Sequence, residues 1–214
     1  MEQTCDGSLN RLRTEAKLEW PETSSAFDDM SFPADKTSLM WSFAGKTQRK
    51  MERHYNNINH WMRPSEIESS PNLWGTKGIR PAAIVQGKLD DCWFLAAISG
   101  IAEWPDRLQK IFNGVQSYPS NGQFQLNFFS QGEKFPVTID DKLPVRNTGG
   151  SLINTGRSTN GAWWGPLAEK AAAKFYGRYE NMYWGFQCEA FHVLTGMPTT
   201  YQFHSSFSVD QLWE

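Results

Sequence analysis

The sequence predicts an α+β fold that is mainly helical, built around a buried helix that carries a cysteine, with a small antiparallel strand pair. Three patterns support this prediction. Residues 92–102 are apolar on nearly every side, which is typical of a helix inside a core. Apolar and polar residues alternate over 124–128 and again over 135–139, which indicates two paired strands. Residues 164–175 repeat apolar side chains at helical spacing.

The first part of the chain contains the predicted leader, a loop and the central helix. Residues 1–59 have the polar composition of an N-terminal leader and extension, and residues 60–214 are predicted to form one domain. Three prolines and two glycines interrupt residues 60–86, so we expect a surface loop there and not a long helix. An aspartate directly before the apolar run, Asp90 or Asp91, is expected to cap the helix that follows.

The remaining elements follow in order after that helix. Pro105 is well placed in the first turn of a helix that presents Leu108 and Ile111 on one face. Residues 147–161 are rich in Gly, Ser, Thr and Asn and predict a surface loop. After the helix at 164–175, a second short helix is expected to end at Gly196.

The composition is that of a folded chain. It has 214 residues, 39% hydrophobic and 21% charged, with a net charge of -2, which excludes a highly charged disordered chain and a strongly basic protein that binds nucleic acid. Three widely spaced cysteines without a CxxC pair favour a reducing compartment. The N-terminus has no signal-peptide pattern, and the longest apolar run is too short for a transmembrane segment. We therefore expect a cytoplasmic protein with no nucleic-acid partner.

Cys92 is the strongest candidate for chemistry. It opens the most apolar predicted helix, where unpaired backbone N–H groups and the helix dipole stabilise a thiolate. Gln86, six residues earlier, can offer its side-chain amide to an oxyanion, alongside the backbone N–H of Cys92. On residue chemistry alone, a structural cysteine in a core helix is the alternative, because buried cysteines are common and Asp90 and Asp91 oppose thiolate formation.

Four motifs, in order, carry a resemblance to a known family. They are QGKLDDCWFLAA at 86–97, VTIDDKLP at 137–144, WGPLAEKAAAK at 164–174 and EAFHVLTG at 189–196. Together they closely resemble signatures of the calpain family of papain-like cysteine peptidases. The resemblance implies subdomain I of the protease core, with protein or peptide substrates. It also implies Cys92 as the nucleophile, Gln86 as the oxyanion donor and Trp93 as an active-site neighbour that contributes to substrate binding.

The sequence departs from that family at three positions. Asp90 stands where the family usually has a glycine before the Asp-Cys pair, and it adds a carboxylate near the thiol. Ala83 and Ala162 stand where the resemblance would place the carboxylates that bind calcium in the first subdomain. Calcium requires hard oxygen ligands, so we expect no metal site of the usual kind and no cofactor.

A thiolate peptidase also needs an imidazole and a group that orients it. Of the four histidines, His54 and His60 precede Cys92, whereas the resemblance implies a histidine far downstream. His192 lies within a predicted helix, and His204 lacks the Gly-His-Ala context that the family uses. The resemblance implies that the catalytic His and Asn belong to a second, mainly β subdomain further along the chain. We therefore expect the domain to be truncated before that subdomain, which would be a partner of this one.

The resulting interpretation is the nucleophile-bearing half of a calpain-like cysteine endopeptidase that is inactive as this chain alone. A non-catalytic module that keeps the fold to bind peptides or a partner protein is the alternative. A redox-sensing thiol is a third interpretation, although no resolving cysteine lies close in sequence. The surface around Trp93 would face the second subdomain, and we expect it to be exposed and apolar.

Overall fold

The computed structural model describes residues 25–40, 55, 58, 60–146, 149–152, 156–157, 160–202, 208 and 210, with only the backbone described at 156–157. The helices in these ranges are α1 (Lys36–Leu39), α2 (Pro64–Ile67), α3 (Cys92–Ile101), α4 (Pro105–Ile111), α5 (Trp164–Phe175) and α6 (Gln187–Thr195). The strands are β1 (His60–Met62), β2 (Ile84–Val85), β3 (Gln123–Ser130), β4 (Glu133–Asp140), β5 (Leu143–Val145) and β6 (Gly156–Arg157). The mixture of helices and small antiparallel sheets confirms the α+β class.

The predicted strand pair is an antiparallel hairpin of two eight-residue strands, β3 and β4. Gln131 and Gly132 form the connection with positive φ angles of 53° and 80°, the backbone conformation that two-residue hairpin turns need. Along each strand every second side chain is buried, among them Phe124, Leu126 and Val137. The hairpin contacts α4, α5 and α6, and this packing closes the core on one side.

The helix α5 is buried along its whole length, from Trp164 to Phe175, and its bounds are those predicted from the apolar spacing. Its buried residues include three ionisable side chains, Glu169, Lys170 and Lys174. A fully buried helix can carry such side chains only where they find partners or lose their charge. The neighbours of α5 therefore determine whether these buried side chains are charged or neutral.

The helix α6 ends where the sequence predicts, with Gly196 in the left-handed conformation at φ 71°. A methyl group on Gly196 would lie 2.6 Å from Cδ1 of Phe129 on β3, so this position requires glycine for space as well as conformation. The central helix α3 packs against α6 and α4. Among the described residues, no helix combines the length and apolarity needed to cross a membrane.

Residues 25–40 were predicted to belong to an extended leader, but they pack against the core. Phe32 and Leu39 are buried. The Asp29 carboxylate accepts a hydrogen bond from Nζ of Lys174 at 2.9 Å, and its backbone N–H donates to Asp140. These contacts join residues more than 100 positions apart, which is why local sequence patterns do not reveal them. The domain boundary at residue 59 stays a prediction.

The segment 60–86 was predicted to be a loop, and the structure corrects this in detail. It contains α2 and the two short strands β1 and β2. The strand β1 pairs with β5 and β2 pairs with β6, each in antiparallel register. Strands of two or three residues carry too short an alternation to be read from sequence, and their partners lie far along the chain.

Candidate active site

The thiol of Cys92 stands at the beginning of the central helix. Cys92 is the first residue of α3, which places it in the predicted first turn, and its side chain is exposed. The helix below it is anchored by buried side chains, including Phe94 and Ile98. No hydrogen bond among the described residues uses the backbone N–H of Cys92, as expected for the first residues of a helix. The buried helix therefore presents one exposed thiol beside an available N–H donor.

Asp91 occupies the N-cap position of α3, but its side chain does not cap the helix. The carboxyl group is fully buried, and neither of its oxygens has a hydrogen-bond partner among the described residues. The predicted aspartate cap is therefore wrong, since a capping carboxylate would accept a bond from the first turn. Burial raises the pKa of Asp91 well above its ordinary value, and the neighbouring carboxyl of Glu169 raises it further.

Gln86 lies after β2, on the loop that leads to α3, and it is exposed. Its amide nitrogen Nε2 donates a hydrogen bond to the backbone oxygen of Leu89 at 3.3 Å. A side-chain amide has two N–H donors, so one remains for another acceptor. The two predicted catalytic residues therefore stand near the two ends of one short loop, and the Leu89 carbonyl fixes the orientation of the glutamine.

The structure corrects the expectation that Trp93 is part of an exposed surface. The indole is 5% exposed, and its Nε1 donates to the backbone oxygen of Met182 at 2.8 Å. The ring of Tyr176 packs against it edge-on at 5.7 Å. On another side, a methyl group on Gly185 would lie 2.6 Å from Cε2 of the indole. Trp93 is therefore a buried side chain that packs beneath the first turn of α3.

The exposed aromatic residues of this region are others, and the sequence analysis did not single them out. Trp184 and Phe186 are 75% and 50% exposed, on either side of the glycine that covers Trp93. The backbone N–H of Trp184 donates to the oxygen of Asp90 at 3.2 Å, which ties this loop to the residues before Cys92. Trp184 also has φ 64°, a conformation uncommon for a large side chain. Phe186 stacks on Tyr201 at 4.7 Å.

Comparison with known proteins identifies the family of this chain. Residues 27–214 match the domain described as calpain family cysteine protease. The chain belongs to the calpain family. It is 34% identical to Calpain-A of Drosophila melanogaster over 176 residues, which is 81% of this chain and 20% of that protein. It is 36% identical to Calpain-14 of Homo sapiens over 172 residues, 79% of this chain and 24% of that protein.

A third calpain has similar identity and coverage. The chain is 34% identical to the Calpain-2 catalytic subunit of Bos taurus over 190 residues, 88% of this chain and 26% of the relative. The chain thus spans about a fifth to a quarter of the length of the curated relatives it matches. Membership of the calpain family supports the assignment of the chain to the cysteine proteases.

The positions where calpain resemblance would place calcium ligands hold two buried methyl groups. Ala83 is 2% exposed at the end of a 3-10 helix, and Ala162 is 0% exposed beside a bridge to Asn72. A methyl group offers no oxygen, so the residues present do not fit a calcium site of the carboxylate kind. In the described part of the chain, no group of three or more His, Cys, Asp or Glu side chains is arranged to hold a metal.

In the described part of the chain, no hydrogen bond joins a histidine to Cys92. His60 lies on β1, and His192 lies on α6, where its Nδ1 is 3.0 Å from the backbone oxygen of Met197. His54 and His204 lie outside the described residues. The described structure therefore places the predicted nucleophile at the start of α3 and the predicted oxyanion donor on the loop before it, and shows no imidazole paired with either.

Proposed function

We propose that this chain is subdomain I of a calpain-type cysteine endopeptidase, with Cys92 as the nucleophile. The observation that carries the proposal is the exposed thiol at the first residue of a buried helix, with the Gln86 amide on the adjoining loop. Protein substrates follow from the peptidase chemistry of the family. In this proposal the His and Asn that complete the site belong to a second subdomain.

The proposed chemistry begins with the sulfur. The Cys92 thiolate attacks the carbonyl carbon of a peptide bond, forming a C–S bond and moving the carbonyl electrons onto oxygen. The remaining amide N–H of Gln86 and the backbone N–H of Cys92 then donate to that oxyanion. An imidazole takes the thiol proton and returns it to the leaving amine, and water later releases the acyl group. The nucleophile and the oxyanion donors are described residues, whereas the imidazole that transfers the proton belongs to the second subdomain in this proposal.

The alternative is a module that binds peptides or a partner protein without catalysis. The exposed Trp184 and Phe186 support binding in either case, because aromatic side chains provide large apolar contacts beside the thiol. In the peptidase proposal this surface contacts the substrate or the second subdomain, and Trp93 supports substrate binding by holding the loop in place. The two functions differ in whether the thiol reacts.

We also propose that the protein works in the reducing cytoplasm. Cys92 and Cys188 are both free thiols, and neither is fully buried. An exposed thiol that must act as a nucleophile is best preserved where disulfides do not form. Fractionation of cells that express the full-length protein tests this, and recovery in a secreted or luminal fraction would contradict it.

The peptidase proposal is tested on the full-length protein and on residues 1–214, each with denatured protein as the substrate. Cys92→Ser should abolish hydrolysis in the full-length protein, and Gln86→Ala should lower kcat by about 10²–10³. Cys188→Ser is the matched control, because that cysteine also lies in the first turn of a helix and should leave activity unchanged. Residues 1–214 alone should show no hydrolysis that depends on Cys92.

Two results would contradict parts of this proposal. Full-length protein that binds a substrate peptide but hydrolyses none, with or without the Cys92→Ser change, would favour the binding module. Hydrolysis by residues 1–214 that Cys92→Ser removes would show that the imidazole lies within this chain.

A further inference from the structure

A groove opens at the far end of α3 from the thiol. It has a volume of about 1320 Å³ and is bounded by the end of α3, by α4, by the β3–β4 hairpin and by the end of α6. Gly100 lines it and lies roughly 12 Å along the helix from Cys92, at a rise of about 1.5 Å per residue. Neither Cys92, Gln86 nor Trp184 lines the groove, so the proposed peptidase chemistry does not use it.

The floor of the groove is apolar and held together by packing and hydrogen bonds. Phe191 and Leu194 of α6 and Phe129 of β3 contribute apolar side chains to it, and α6 packs on β3. The buried Asn127 donates from Nδ2 to the backbone oxygen of Lys110 at 3.0 Å, which joins β3 to α4. A groove that is already formed costs less conformational entropy when it binds a partner.

The rim carries side chains that are typical of protein interfaces. Trp104 at the start of α4 is 56% exposed, and Met197 after α6 is 63% exposed. The guanidinium group of Arg107 lies 4.8 Å from the centre of the Trp104 ring, and this contact orients both side chains. Aromatic residues, Met and Arg are enriched at protein interfaces, and Trp and Arg often contribute most of the binding energy.

The charged side chains that line the groove are mostly cationic. They are Arg107, Lys110, Lys134 and Asp106. None of the three cations forms a salt bridge within the described part of the chain. The whole chain has a net charge of -2, so the groove is a positive region on a molecule that is negative overall. A segment that carries carboxylates complements this charge, and a basic segment would be repelled.

The size of the groove favours a peptide over a small molecule. Pockets for small molecules usually measure about 300–1000 Å³ and enclose most of the ligand. This groove is larger and open to solvent. Its position between two helices, with a strand beneath, suits an amphipathic segment that lays its apolar face on the floor.

We propose that this groove docks an acidic, amphipathic segment of a separate protein. The segment inserts a bulky apolar side chain between Phe129 and Phe191, and its carboxylates pair with Arg107 and Lys134 at the rim. Docking also buries the exposed ring of Trp104. Because the groove and the thiol lie at opposite ends of α3, a docked segment leaves the thiol accessible. The proposal does not depend on whether the chain is a peptidase.

The experiment selects ligands from short random peptides displayed on phage. The target is the chain with Cys92→Ser, so that the thiol neither reacts with a peptide nor cleaves it. The selected peptides should be rich in Asp and Glu and should carry aromatic residues or Leu. A fluorescent synthetic copy of the most enriched peptide then gives Kd by fluorescence anisotropy. Added salt should raise this Kd, because it screens charges at an exposed rim.

Two groove variants locate the binding. Arg107→Glu combined with Lys134→Glu reverses two exposed charges and should raise Kd about tenfold or more. Trp104→Ser should raise Kd by a similar factor, and it keeps the fold because serine is a good N-cap residue for α4. Lys77→Glu reverses an exposed charge outside the groove and is the matched control, which should leave Kd unchanged. Melting temperatures show that each variant is folded.

Other results would overturn the proposal. Selected peptides without an excess of Asp and Glu would contradict the charge argument, and selection of no peptide would show that the groove is not available. Binding that Trp184→Ser weakens and the groove variants do not would place the ligand beside the thiol. A wild-type dimer in sedimentation that becomes monomeric with Arg107→Glu and Lys134→Glu would assign the groove to a second copy. None of these measurements uses enzymatic activity, so they stay informative if the peptidase proposal fails.

Discussion

Two regions of the molecule bury carboxyl groups in opposite ways. Beneath the β3–β4 hairpin, Asp140 is 1% exposed and pairs with Nζ of Lys170, and Asp29 pairs with Nζ of Lys174 at 2.9 Å. At the beginning of α3, the equally buried Asp91 accepts no hydrogen bond from any described residue, and burial raises its pKa. Both carboxyls are equally buried, so the difference between the two regions lies in the partners and not in burial.

The paired region acts as a scaffold. Arg63 bonds to Asp141 and, at 2.6 Å, to Asp28, so cations on α5 and before α2 join residues 25–40 to the hairpin. Buried charges that are paired and hydrogen-bonded specify one arrangement of the segments that supply them. In the region beside Cys92, burial instead raises the pKa of Asp91 well above its ordinary value. Carboxyls with strongly shifted pKa values occur at functional sites more often than in scaffolds.

The largest effect is expected where a charge pair of the scaffold is broken. Lys170→Met leaves Asp140 buried without its cation and also removes the bond from Nζ to the Lys142 oxygen at 2.6 Å. We expect a loss of about 3–5 kcal/mol in the free energy of unfolding, measured by urea denaturation. Lys77→Met, at an exposed lysine, is the control. A loss no larger than in the control would show that the Asp140–Lys170 pair does not stabilise the fold.

A smaller effect is expected from the packing beside Cys92. Gly185→Ala places a methyl group 2.6 Å from the Trp93 ring, which is enclosed on its other sides. We expect overpacking to cost about 1–3 kcal/mol in thermal unfolding. Gly100→Ala is the matched change within α3, where the new methyl group meets only Phe191 at 3.8 Å. It should stabilise the protein by about 0.5–1 kcal/mol, and the opposite order would refute the packing described for Trp93.

The smallest expected effect is that of calcium. Ala83 and Ala162 supply no carboxylate, and the Asp91 and Glu169 carboxyls are buried away from solvent. A ligand stabilises a protein by RT ln(1 + [L]/Kd), so millimolar calcium should leave the melting temperature of residues 1–214 unchanged. Magnesium at the same concentration controls for ionic strength. A clear shift with calcium alone would show that other oxygens form a site.

The comparison also explains what the sequence could predict. The bounds of α5 and the start of α3 follow from apolar spacing within one segment, and the hairpin follows from a short alternation. The pairing of Asp29 with Lys174 joins residues 145 positions apart, so no local pattern reveals it. For the candidate site, the position of Cys92 at the start of α3 was predictable from the apolar run, and the catalytic roles of Cys92 and Gln86 stay predictions from the family motif. The burial of Asp91 and Trp93 depends on how α5 and the Gly185 loop pack, which the sequence does not state.

The central claim is that the thiol of Cys92 is the nucleophile of a peptidase site, and its most direct test is covalent labelling of the full-length protein. A peptide that carries an epoxide is added, and the modified cysteine is located by mass spectrometry. The account predicts label on Cys92 and not on Cys188, with loss of all label in Cys92→Ser and retention in Cys188→Ser. Equal labelling of both cysteines, or labelling that persists in Cys92→Ser, would contradict it.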